Sequence, residues 1–176
     1  MSACGVEGET YQPPASTDLV AASCLTNPYK VKWVTDGDTI NLDIPGVNDS
    51  DGKTTVRLKG INTPEVSHAP NFAPAEPCGE AAELYTKTTI GTEVELEFNS
   101  DCAADPFNDN DCRDNFGRLL AYVKLADCSD LGLRLLQNGL AQVYDDFPFD
   151  RQSHYTDAKN TAQSQGVGIF GGACSQ

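Results

Sequence analysis

Positive charge is scarce in this chain. Twelve Lys and Arg face 26 Asp and Glu, so the net charge is −14 and the isoelectric point about 4.3. That excludes a broad basic surface for polyanions. Nucleic acid, if met at all, has to be met locally, by a few arginines or through a bound cation. Long hydrophobic runs are also lacking. None approaches the ~18 apolar residues of a spanning helix. No Cys-x-x-Cys pair occurs, which argues against a zinc ribbon or a thioredoxin-type site. There is no internal repeat. What remains, at 176 residues and 39% hydrophobic, suffices for one packed core.

Seven cysteines are present: Cys4, Cys24, Cys78, Cys102, Cys112, Cys128 and Cys174. Without metal-type spacing they read as a disulfide framework, hence an extracytoplasmic protein, secreted or attached to a bacterial cell envelope. The odd one is Cys4. Met1-Ser2-Ala3-Cys4-Gly5 resembles the end of a lipoprotein signal, in which small residues precede a lipid-bearing cysteine. On that reading the only membrane contact is a lipid on Cys4; on the other, Cys4 is a free thiol in a tail. Three disulfides then take the remaining six. Cys102 and Cys112 bracket a short Asp- and Asn-rich segment and are the pair the sequence favours. The rest is open. Seventeen of the acids are Asp, which suits turns, caps and metal ligation better than helix interiors.

Residues 1–26 are rich in small and polar residues and read as a flexible tether, and 27–176 as the folded domain. Strands are expected at Lys30–Val34, Thr39–Ile44, Thr54–Lys59, Thr92–Phe98 and Leu119–Leu125, from alternation and β-rich runs. Helices are expected at Cys78–Ile90, with Ala81, Leu84, Tyr85 and Thr88 as its periodic face, at Ser129–Gln137, and over Asp150–Ser164. Asn62–Pro77 reads as a long loop and Leu140–Tyr144 as a short apolar stretch. Trp33 and Tyr122 read as core or barrel-wall aromatics. Five strands with a helix between the third and fourth is the element order of an α+β, OB-type Greek-key barrel with about three helices.

Four short blocks carry chemistry. They are Val34-Thr35-Asp36-Gly37-Asp38-Thr39, Val56-Arg57-Leu58-Lys59-Gly60-Ile61-Asn62-Thr63-Pro64-Glu65, Asp114-Asn115-Phe116-Gly117-Arg118-Leu119-Leu120-Ala121-Tyr122-Val123, and Gly139-Leu140-Ala141-Gln142-Val143-Tyr144. Singly each has a bland explanation. Asp36 and Asp38 suit a turn, Arg57 and Arg118 a surface ion pair, and Glu65 a loop acid. Together and in order, with Gly79-Glu80-Ala81 opening a helix between the second and third, they resemble the staphylococcal nuclease family from about Val31 to Phe170.

That resemblance implies a metal-dependent endonuclease acting on DNA and RNA, and a monomer is expected. Water bound to the metal would attack in line and leave 3′-phosphate and 5′-hydroxyl ends. It assigns the metal to Asp38, Asn62 and the carbonyl of Thr63, with calcium as the cation. It assigns Glu65 to the attacking water, and Arg57 and Arg118 to the phosphate. Phe116, Tyr144 and Phe147 are the candidates for stacking on bases. The residue types suit the tasks: oxygen donors for a hard cation, and permanently charged, two-pronged guanidinium groups for a phosphate.

The chain departs from the family pattern where Asn62 replaces a carboxylate, which weakens calcium binding or shifts the preference to magnesium or manganese. It departs again at Asn115, Phe116 and Asp145-Asp146, near the substrate. His68 suits a solvated loop better than catalysis. The acidic surface predicts an activity optimum at high salt, where repulsion from DNA is screened. Two other classes compete: a catalytically inactive OB-fold module that binds nucleic acid, and a surface protein that binds cations or glycans.

Overall fold

The computed structural model describes residues 23–67, 74–102, 105–172 and 174. Cys4, the expected tether up to residue 22, and His68 lie outside the described residues.

The elements are β1 (Tyr29–Val34), β2 (Thr39–Asp43), β3 (Thr54–Leu58), β4 (Ile61–Asn62), α1 (Gly79–Thr89), β5 (Glu93–Glu97), β6 (Leu119–Lys124), α2 (Leu131–Gln137), β7 (Gln142–Val143) and α3 (Gln152–Gln165), with short 3-10 turns at Asn110–Cys112 and Gly168–Phe170. Five strands close a barrel in the order β1-β2-β3-β6-β5, and β5 returns to β1. All its pairs are antiparallel except β3 with β6. The architecture is the α+β OB-type barrel that the strand order predicts. Closure leaves no open edge among these five strands.

Alternation drives the core. In β3, Val56 and Leu58 face inward while Thr55 and Arg57 face out. Ile40, Leu42, Val94, Leu119, Ala121 and Val123 meet them in the barrel. β2 is buried on both sides, so its outward polar residues need partners. Asn41 has them: its amide donates to the Thr35 hydroxyl at 2.7 Å and accepts from Thr55 at 2.9 Å. Asp130 caps α2 by accepting from the Leu133 amide, and it also takes hydrogen bonds from Arg151 and the Tyr155 hydroxyl, locking α2 to α3. No helix among the described residues is long and apolar enough to cross a membrane.

Three readings need correction. α1 turns a different face inward: Gly79, Ala82 and Thr86 are buried, whereas Leu84 and Thr88 are exposed. Small residues let the helix axis approach the barrel closely, and a buried threonine supplies a hydrogen bond that leucine cannot. Trp33 is 45% exposed, because a bulge in β1 between Val31 and Trp33 breaks the alternation; Tyr122 is buried as expected. Finally, Asn62 is not loop: with Ile61 it forms β4, which pairs with β7 inside the short apolar stretch.

The disulfides join Cys102 to Cys112, the pair the sequence favours, and Cys24 to Cys128 and Cys78 to Cys174. Cys78 and Cys128 are the two non-glycine residues with positive φ among the described residues.

Candidate active site

The site forms where β3 ends and β2 begins. A tight turn brings in Asp38: its amide donates to the Asp36 carboxylate at 3.0 Å, and the Thr86 hydroxyl of α1 donates to the Gly37 carbonyl at 2.7 Å. Position 37 must be glycine, because a Cβ there would stand 2.7 Å from Thr63 Oγ1 and 2.8 Å from Ala82 Cβ. The carbonyl of Asp38 accepts from the Leu58 amide at 2.8 Å, pinning the turn to the end of β3.

The Asp38 carboxylate is only 4% exposed. Its Oδ2 accepts from the Thr63 amide at 2.6 Å and the Thr63 hydroxyl at 3.0 Å, and its Oδ1 from the Thr39 hydroxyl at 3.2 Å. Arg57 Nη1 lies 2.9 Å from the same Oδ2, and Nη2 donates to Asn62 Oδ1 at 2.7 Å. One guanidinium thus bridges the two side chains expected to hold a metal. Burial pushes the Asp38 carboxyl up to about 6; the Arg57 charge opposes this, Asp36 adds to it, and the Thr63 hydrogen bonds oppose it again. A carboxylate this desolvated gains from further positive charge. With the Asn62 amide oxygen and the Thr63 carbonyl, the donors are all oxygen, and they fit a hard cation.

The small sheet completes the arrangement. Ile61 pairs with Val143 and Asn62 with Gln142, and the Tyr144 amide donates to the Gly60 carbonyl at 3.0 Å. This carries the fourth block to the end of β3. Tyr144 is exposed there, close enough to Arg57 to feel its charge, and a hydrogen bond to Asp146 pushes its hydroxyl's titration up. Two-residue strands have no periodicity, so nothing in the sequence marked them.

Glu65 leaves β4 three residues after Asn62 and is exposed. Its backbone is held instead: its amide donates to Glu76 Oε2 at 3.0 Å, and the Glu76 amide donates to its carbonyl at 2.8 Å. Arg118 immediately precedes the neighbouring strand β6. Arg57 pairs with Leu120, so Arg118, two residues earlier, falls on the same face as Arg57. Asp114 orients it, accepting from its Nε at 2.6 Å and from its amide at 2.9 Å. Phe116, 85% exposed, lies beneath the Arg118 guanidinium, 5.4 Å away. Phe147 is also exposed. The structure therefore gathers Asp38, Arg57, Asn62 and Thr63 into one bonded cluster. Arg118 stands one strand away, Glu65 at the loop exit, and three aromatics face solvent. Sequence reasoning missed Thr86, Asp114 and Glu76; of these only Asp114 had a signal, four residues before Arg118 in a tight turn.

The molecule is thus an OB-type barrel in which an arginine at the end of the third strand bridges one buried carboxylate and one amide oxygen. Residues 55–171 match the family described as staphylococcal nuclease homologue. The chain is 35% identical over 139 residues to a thermonuclease of Staphylococcus intermedius, covering 78% of this chain and 69% of that protein. It is 36% identical over 117 residues to a thermonuclease of Staphylococcus hyicus (65% of this chain, 58% of that protein) and 31% identical over 130 residues to endonuclease YhcR of Bacillus subtilis strain 168 (71% and 10%). The protein belongs to the staphylococcal nuclease family.

Proposed function

We propose that the protein is a metal-dependent endonuclease that hydrolyses phosphodiester bonds of DNA and RNA. The observation that carries this reading is the Arg57 guanidinium bridging Asp38 and Asn62, with the exposed Glu65 three residues after Asn62 in the chain. Two relatives are thermonucleases and a third is an endonuclease, which supports it.

Asp38, Asn62 and the Thr63 carbonyl would hold the cation, calcium by family resemblance. When bound, it supplies positive charge against the phosphate and makes water more acidic. Arg57, which lies between those two side chains, would offer its guanidinium donors to the phosphate oxygens. Arg118, oriented by Asp114 just before β6, contacts the phosphate from its other side. Both guanidiniums offset the charge that builds on the phosphate oxygens in the transition state. Glu65, exposed to solvent, takes the proton of the attacking water. In-line displacement breaks the bond from phosphorus to the 5′ oxygen, which takes up a proton from solvent water, and leaves a 3′-phosphate and a 5′-hydroxyl. Phe116, Tyr144 and Phe147 stack on bases of the flanking nucleotides. Three disulfides support an extracytoplasmic setting.

The test is cleavage of single-stranded and plasmid DNA and of RNA with calcium, magnesium, manganese or excess chelator, with Glu65→Gln alongside. Cation-dependent cutting that Glu65→Gln abolishes is expected. Cutting with magnesium or manganese but not calcium points to Asn62, and Asn62→Asp is expected to restore calcium use. No cutting under any condition overturns the reading and leaves an OB-fold module that binds without hydrolysing.

A further inference from the structure

Among the described residues, Glu65 is the one proposed catalytic group whose side chain has no partner to orient it, yet its backbone is held in a closed set of contacts. Its amide donates to the Glu76 carboxylate and its carbonyl accepts from the Glu76 amide. Glu76 in turn accepts from the Gly79 amide through its carbonyl at 3.0 Å. Gly79 opens α1 with its Cα pressed on Glu65: a Cβ there would stand 2.3 Å from the Glu65 carbonyl oxygen. Between them, Cys78 caps α1 at φ 77°, a left-handed conformation that favours glycine. A cysteine holds this place, and its sulfur is bonded to Cys174, 96 residues away. α1 also braces the other half of the site through the Thr86–Gly37 hydrogen bond. The residues that seat Glu65 are thus fixed covalently to the C-terminal tail.

We infer that Glu76 and the Cys78–Cys174 disulfide are positioning residues for Glu65, setting its distance from the substrate without touching substrate themselves. The inference rests on the nuclease reading for its kinetic consequence, but the clasp itself can be tested independently. Small misplacements of a reacting group cost rate steeply, up to about 100-fold per ångström.

The experiment measures amide hydrogen exchange at Glu65 by NMR, and steady-state cleavage, in Glu76→Ala, Glu76→Gln, Cys78→Ser/Cys174→Ser and, as a control on other elements, Cys24→Ser/Cys128→Ser. Glu76→Ala and Cys78→Ser/Cys174→Ser are expected to speed Glu65 exchange and to lower kcat by roughly 10-fold or more with KM within about twofold. Glu76→Gln keeps an acceptor oxygen and is expected to stay near wild type. The control pair is expected to leave both readouts unchanged. Unchanged Glu65 exchange in Glu76→Ala and in the Cys78/Cys174 variant overturns the inference, as does equal damage by the control pair, which would mean general loosening. Glu76→Gln behaving as badly as Glu76→Ala overturns it too, because charge rather than the hydrogen bond would then matter. If the wild type cuts nothing, the nuclease reading fails, and the exchange data still decide whether the clasp holds Glu65. Should the Cys78/Cys174 variant not fold, the two Glu76 variants decide.

Discussion

Asp38 is sealed in the barrel wall by two threonines and an arginine. Glu65, at the other side of the same strand end, stands in solvent with only its backbone fastened. The difference follows from what each must do. A group that holds charge works best where water cannot compete, since low polarity strengthens every contact it makes. A group that moves a proton must reach water and substrate, so it cannot be buried; its placement has to come from the chain around it. The Asp38 side chain is therefore tied into the stability of the fold, whereas the Glu65 side chain adds little to it and only the backbone beneath it is fastened.

The sharpest way to break that comparison is to mutate both halves. Glu65→Gln is expected to lower kcat by about 10²–10⁴-fold and to leave the urea midpoint unchanged, since an exposed carboxylate contributes within ~0.5 kcal/mol. Arg57→Ala is expected to lower kcat by about 10²–10³-fold and also to destabilise the fold, because Asp38 loses its counter-charge. The loss should be about 2 kcal/mol, short of the ~3–5 kcal/mol of a broken buried pair, because a carboxyl already raised toward neutrality takes up a proton instead. Stability that falls equally in both variants would erase the distinction between the halves.

Thr86→Val probes the sealed half without touching the chemistry. It removes the hydroxyl that satisfies the Gly37 carbonyl at a fully buried position. The expected cost is ~1–3 kcal/mol, read by chemical denaturation. A neutral outcome would mean that α1 does not brace the Asp38 turn.

How much of this was legible beforehand divides along the same line. Strands β3 and β5 were readable because half-buried strands alternate, which also turns Arg57 outward, while β1, β2 and β6 were readable from their β-rich apolar residues. The turn at Asp36–Asp38 was readable from its own chemistry. What escaped were features set by distant partners. β4 and β7 are two residues each and exist only because the chain returns to Gly60. The inward face of α1 escaped because Gly79, Ala82 and Thr86 are not an apolar stripe; their small size matters only against a particular barrel wall. The pairings Cys24–Cys128 and Cys78–Cys174 span 104 and 96 residues, whereas Cys102 and Cys112 were close enough to infer. The seating of Glu65 depends on one of those long links, so its neighbours Glu76 and Cys78 carried no local signal.

The surface near Tyr144 offers a milder test. Asp145 and Asp146 follow directly and are exposed, in a chain whose net charge is already −14. Asp145→Asn/Asp146→Asn is expected to lower KM for DNA several-fold at low salt by easing repulsion. The gain should shrink toward nothing near 1 M salt, where the screening length is only ~3 Å. A gain independent of salt would point to direct contact with the nucleic acid instead.

Glu95 provides the counterpart to Asp38, and the smallest expected effect. Both are carboxylates on the barrel, but burial raises the one while hydrogen bonds lower the other. The Thr26 hydroxyl donates to Glu95 Oε1 at 2.5 Å and the Thr26 amide to Oε2 at 2.9 Å, with Lys124 Nζ 3.3 Å away. These partners, the hydroxyl foremost, pull the Glu95 carboxyl from 4.5 to about 2. A carboxyl lowered on folding contributes stability that is fully present above its unfolded value and is lost as pH falls through the folded one. The window is therefore pH 4.5 down to about 2. Glu95→Gln should lower the urea midpoint slightly at pH 7, and the gap to wild type should close across that window. A gap that persists at pH 2 would mean that Thr26 is anchored by shape and not by the ionised carboxylate, and that hydrogen bonding does not offset burial on this barrel as the contrast with Asp38 requires.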